Sequence, residues 1–147
     1  MPQSVLVFGL AALVALTSCA KEKKPARAER DAIAWLTSYE AALKTAKDER
    51  RPVMIDFYTD WCGWCKRLDA DTYVDKQVIS ASGDFVSLKI NADAERAIAA
   101  RYNITGFPTI LFIDSSGQEV YRVVGYQPPQ AFLVEMGKAM AAFKEKS

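Results

Sequence analysis

The chain has 147 residues and a formal net charge of +1; half of its residues are apolar, a quarter are charged, and it holds three cysteines and no histidine. That length and composition describe one ordinary globular domain. The missing histidine excludes a Ser–His–Asp triad, a Cys–His dyad, a histidine-ligated metal centre and a histidine pH switch. The near-zero charge offers no electrostatic case for a nucleic-acid partner, which leaves thiols, carboxylates and lysines as the reactive groups.

Val5 to Leu16 is a charge-free apolar run. It is shorter than the roughly 20 residues that cross a bilayer and matches the h-region of an export signal. It runs into Leu16-Thr17-Ser18-Cys19, which resembles the bacterial lipobox. That resemblance implies that residues 1–18 are a lipoprotein signal peptide and that Cys19 carries the lipid. The protein would then be held to a membrane on the periplasmic face of the bacterial envelope; several acyl chains on one residue make such an anchor stable. Ordinary cleaved secretion and an uncleaved anchor are the other readings. Residues 19–30 are charged and lack large apolar groups, as a solvated tether does. The folded domain is expected over 31–147.

Helical periodicity begins near Trp35, with Thr37 and Glu40 at capping-box spacing and Tyr39, Ala42, Leu43 and Ala46 on one face; Pro52 stops it near Arg51. Val53 to Tyr58 reads as a buried strand. Residues 63–71 read as one helix and Asp75 to Ala81 as a second. Phe85 to Ile90 is a strand and Ala94 to Tyr102 a helix. Thr109 to Asp114 and Glu119 to Val124 form a hairpin around Ser115-Ser116-Gly117. Gln130 to Lys146 is a closing helix with Phe132, Leu133, Met136, Met140 and Phe143 inward. The order predicts parallel pairing early and antiparallel pairing late.

With Cys19 assigned to the lipid, the domain keeps two thiols, in Trp61-Cys62-Gly63-Trp64-Cys65-Lys66. An exported protein meets oxidising surroundings, where disulfide chemistry is at home. Cys62 opens a helix, so free N–H groups and the positive dipole end favour its thiolate, the species that attacks disulfides. Cys65 is three residues on, on the same face. A structural disulfide or a metal shared between two chains are other uses of such a pair, but no further Cys or His accompanies it. Asp56 stands inside an apolar strand, where burial raises a carboxyl pKa.

Asp56-Phe57-Tyr58-Thr59-Asp60-Trp61-Cys62-Gly63-Trp64-Cys65-Lys66 resembles the active site of the thioredoxin superfamily, and Gly106-Phe107-Pro108-Thr109, about forty residues on, resembles its cis-proline loop. Lys89-Ile90-Asn91 and Gly125 also fall where thioredoxins have similar residues. Trp35 to Glu40 together with the Trp-Cys-Gly-Trp-Cys-Lys motif is most similar to secreted thioredoxin-like proteins related to the C-terminal domain of the bacterial membrane thiol reductase.

The resemblance implies a thioredoxin-like α/β fold, a central mixed sheet of four to five strands flanked by helices. It implies a thiol–disulfide oxidoreductase that reduces exported proteins. Its only cofactor would be the Cys62–Cys65 redox disulfide, with no metal. Cys62 would be the nucleophile, Cys65 the resolving thiol, Asp56 the proton-transfer group and Lys89 its neighbour. Gly63, Trp64, Phe107 and cis-Pro108 would meet substrate, while Trp61 reads either as substrate surface or as packing on the active-site helix. The partners would be protein disulfides and a membrane or soluble thiol reductant, and the chain a monomer. Gly63-Trp64 replaces the Gly-Pro of thioredoxin, which leaves open an oxidase or isomerase, or a Cu(I)-carrying module, on the same fold.

Overall fold

The computed structural model describes residues 30–146; the expected signal peptide, Cys19 and most of the tether lie outside them. The elements in order are β1 (Trp35–Leu36), α1 (Tyr39–Glu49), β2 (Val53–Tyr58), α2 (Gly63–Arg67), a π-helical turn (Leu68–Thr72), α3 (Lys76–Ser82), β3 (Val86–Asn91), α4 (Arg96–Arg101), β4 (Thr109–Ile113), β5 (Glu119–Val124) and α5 (Pro129–Lys146). They build a five-stranded sheet in the order β1-β3-β2-β4-β5. β1 and β2 flank β3 in parallel, and β4 runs antiparallel to both β2 and β5. The expected mixed sheet flanked by helices is what forms.

β2 is central and buried on both faces, which explains its nearly unbroken apolar sequence. Alternation along a strand sends Val53, Ile55 and Phe57 to one face, where they pack with Tyr39, Ala42 and Ala46 of α1 and with Ala99 and Tyr102. Met54 faces the other way, into a second core of Leu68, Tyr73, Val78, Ile79, Phe112, Phe132 and Met136. Asp56 is in phase with Met54 and so lies on the face covered by the active-site helix, α3 and α5.

Two expectations need correction. Trp35 does not begin a helix: Trp35 and Leu36 pair with Ser87 and Leu88 as β1. The cap of α1 is Ser38 rather than Thr37, since the Ser38 hydroxyl accepts from the Ala41 amide at 3.2 Å. The single helix expected over 63–71 is also divided, because a π turn follows α2 and the Tyr73 amide donates to the Leu68 carbonyl five residues back at 3.0 Å. Elsewhere the boundaries differ by one or two residues. In α5, Phe132 and Met136 are fully inward, whereas Leu133, Met140 and Phe143 are half-buried. Among the described residues, no helix is long and apolar enough to cross a membrane.

Candidate active site

β2 delivers the chain to the motif. After Tyr58 a tight turn, closed by the Cys62 amide donating to the Thr59 carbonyl at 3.2 Å, sets Cys62 as the N-cap of α2. Cys62 and Cys65 form a disulfide with their Cα atoms 5.3 Å apart, within the usual span of such bridges. The Cys65 amide donates to Cys62 Sγ at 3.1 Å, so a helix-start N–H is aimed at the sulfur that would carry negative charge after reduction.

A second loop arrives from β4. Thr109 pairs with Phe57 of β2 and with Val124 of β5, which places Phe107-Pro108 at the same end of the sheet as the cysteines. The Phe107–Pro108 peptide is cis. Its loop is tied by Thr109 Oγ1 donating to the Gly106 carbonyl at 2.8 Å and by the Gly125 amide donating to the Pro108 carbonyl at 2.8 Å. Gly125 has φ of +90°, a conformation that a side chain rarely adopts, and thereby turns its N–H onto the loop.

The two tryptophans of the motif make separate sets of contacts. Trp61 is 69% exposed, so it does not pack beneath the active-site helix. Its indole N–H donates to Asp93 at 2.9 Å, and its ring meets Phe107 edge-on at 5.8 Å, joining the motif to the proline loop. Trp64 is 56% exposed and lies 5.6 Å from the Tyr126 ring, with the Arg67 guanidinium over both. Asp71 holds that group in place, accepting from Arg67 at 3.1 Å and from Tyr126 at 3.2 Å. Gly63 has open space where a Cβ would stand.

Asp56 is 1% exposed. Burial drives its pKa up to about 6, although Lys89 pulls it down. Lys89 Nζ is 3.2 Å from Asp56 Oδ2 and 2.6 Å from Asp69 Oδ1, so the ammonium bridges a buried carboxyl and a half-exposed one. The rings of Tyr58, Trp35 and Tyr73 lie 4.8, 5.5 and 5.6 Å from that ammonium. Burial opposes the charge on Lys89, but the two carboxylates outweigh it and its pKa is raised.

Every expected site residue from 56 to 108 therefore falls at one end of the sheet or on the face beneath it. Sequence reasoning missed Asp69, Tyr73, Asp93, Arg67 and Tyr126, and it left Tyr58 as core. Asp69 and Tyr73 gave one faint signal, polar groups on the segment that follows Cys65. Arg67 reaches Trp64 from one turn along the same helix, while Asp93 and Tyr126 are joined to the site only through contacts distant in sequence. Among the described residues, no group of three or more Cys, His, Asp and Glu side chains is placed to hold a metal ion.

The thioredoxin-like domain profile matches residues 39–140. The chain belongs to the thioredoxin-like family. Within that family it is 33% identical over 116 residues to the thiol:disulfide interchange protein DsbD of Ralstonia nicotianae, a stretch covering 76% of this chain and 19% of that protein. The chain spans about a fifth of the length of the curated relatives it matches. Among solved thioredoxin-like structures, a thioredoxin from Thermus thermophilus superposes with a TM-score of 0.67 at 28% identity, covering 74% of this chain and 88% of that one. The oxidised C-terminal domain of DsbD from Neisseria meningitidis gives 0.59 at 27% identity, covering 69% and 95%.

Proposed function

We propose that the protein is a thiol–disulfide oxidoreductase of the bacterial envelope that reduces disulfides in exported proteins. One observation carries the reading: a Cys62–Cys65 disulfide caps a helix beside a cis-proline loop, on the face that holds a buried carboxyl. Likeness to thiol:disulfide interchange proteins supports the same chemistry, and likeness to a reductase domain favours the reducing direction.

In the dithiol form the Cys62 thiolate attacks a substrate disulfide. A mixed disulfide forms and one substrate thiolate leaves. Cys65 gives its proton to Asp56 and attacks Cys62 Sγ; the second substrate thiolate leaves and the Cys62–Cys65 disulfide is restored. Two electrons pass to the substrate, and its two thiolates take up the proton released from Asp56 and one from solvent. A thiol reductant, membrane-bound or soluble, then recharges the pair. Lys89 holds the charge of Asp56. The backbone of Phe107 beside Pro108 pairs with an extended substrate strand, while Trp61, Gly63 and Trp64 form the surface that meets it. Removal of residues 1–18 and lipid on Cys19 place the domain 31–147 at the periplasmic face of a membrane, as a monomer on a charged tether.

The test is reduction of insulin disulfides and recovery of substrate adducts. Cys62→Ser abolishes turnover, and Cys65→Ser accumulates mixed disulfides with envelope proteins. Turnover that survives Cys62→Ser would overturn the assignment. A reduction potential well above that of thioredoxins would overturn the reducing direction.

A further inference from the structure

Among the described residues, four buried side-chain polar atoms have no hydrogen-bond partner, and two of them are Asp56 Oδ1 and Tyr73 Oη. A buried hydroxyl or carboxylate oxygen left unpaired is costly, because it has given up water for nothing. These two complement each other, since an ionised carboxylate only accepts and a phenol donates. They also share surroundings. The Tyr73 ring lies against Lys89 Nζ, which bonds the other oxygen of Asp56. Trp35 and Phe132 pack edge-on to that ring, 5.0 and 5.8 Å away, and fix its plane. Burial, together with the charge of Asp56, raises the Tyr73 phenol well above its usual range, so it stays protonated as a donor.

We propose that Tyr73 is a positioning residue for Asp56: its phenol O–H pairs with Oδ1 of the ionised carboxyl while Lys89 holds Oδ2. Asp56 then stays ready to accept the Cys65 proton within an apolar core. The inference rests on the proton-transfer reading of Asp56. The titratable groups facing Asp56 are Lys89 from β3, Asp69 from the π turn and Tyr73 itself; its β4 neighbour, Ile110, is uncharged.

The test is carbon-13 titration of the Asp56 carboxyl in the oxidised full chain, alongside the pH profile of single-turnover reduction of a disulfide peptide. Tyr73→Phe keeps the ring and removes the donor. It raises the Asp56 midpoint by about one unit, and the acid limb of the rate profile moves with it. Difluorotyrosine at position 73, a stronger donor, moves both the other way. An Asp56 midpoint unmoved by either change overturns the inference. Midpoints that move while the rate profile ignores Tyr73→Phe and Asp56→Asn alike leave the Tyr73–Asp56 bond standing and overturn the role of Asp56 in proton transfer.

Discussion

Replacing Asp56 with Asn should stabilise the oxidised protein, and by an amount that depends on pH. The carboxyl is raised from 3.8 in the open chain to about 6 in the fold, first by burial. A group whose folded pKa is raised contributes its stability fully below the unfolded value and loses it as pH climbs through the folded one. The window therefore runs from about pH 4 to about pH 6, and above it the folded protein carries an ion it disfavours. A shift of about two units at 1.36 kcal/mol each makes that penalty about 3 kcal/mol. Asn has nearly the same shape and no charge. At about pH 8 the variant should gain up to about 3 kcal/mol, on the order of 10 °C in Tm for a domain of this size. At about pH 4 the gain should be nearly gone. Urea denaturation of the oxidised forms at both pH values measures it. Equal stability at the higher pH, or a gain that does not shrink at the lower one, would refute the claim that burial governs this carboxyl.

Lys89→Met removes the cation beside Asp56, so the carboxyl rises above about 6 and turnover falls on the acid side while recovering near pH 8; a rate–pH profile checks the sign. Trp64→Ala removes the exposed ring that packs on Tyr126 and Arg67. It should raise KM for a disulfide peptide roughly tenfold and leave the reduction of a small aromatic disulfide unchanged. Gly117→Ala would place a methyl at φ +83°, 2.9 Å from the Tyr39 hydroxyl, where Tyr39 donates to Tyr102 and Tyr102 donates to the Gly117 carbonyl. Thermal melts should show a loss of about 2 kcal/mol with the redox rate intact.

What could be read from the sequence was whatever local chemistry encodes. The two cysteines, the strand before them and the Gly-Phe-Pro-Thr loop are contiguous signals, and Asp56 stood out as a charge in an apolar strand. β1 was hidden because two residues carry no period, and Trp35 gains its strand character only by pairing with Ser87 across the sheet. Asp69 and Tyr73 were hidden for another reason. Their partners, Lys89 and Asp56, lie on β3 and β2, and no spacing along one helix foretells which side chains a sheet will present to it. Tyr126 and Asp93 reach the tryptophans from loops that follow other elements.

The π turn makes chain length act as a phase. Each α-helical residue advances about 100°, so one surplus residue delays everything after it by that angle. Tyr73 comes eight positions after Cys65 yet turns toward the same buried side as Leu68. Deleting one residue between Asp69 and Asp71 would let an ordinary α turn carry the phenol to the same side, whereas closing the turn at its present length with α-helical bonds would rotate the phenol away from the carboxyl. Grafting this motif onto a straight helix would keep both thiols and lose the group that faces Asp56. For this site a change of helix type at fixed length is a rotation, and it should weigh more than most substitutions along the same turn.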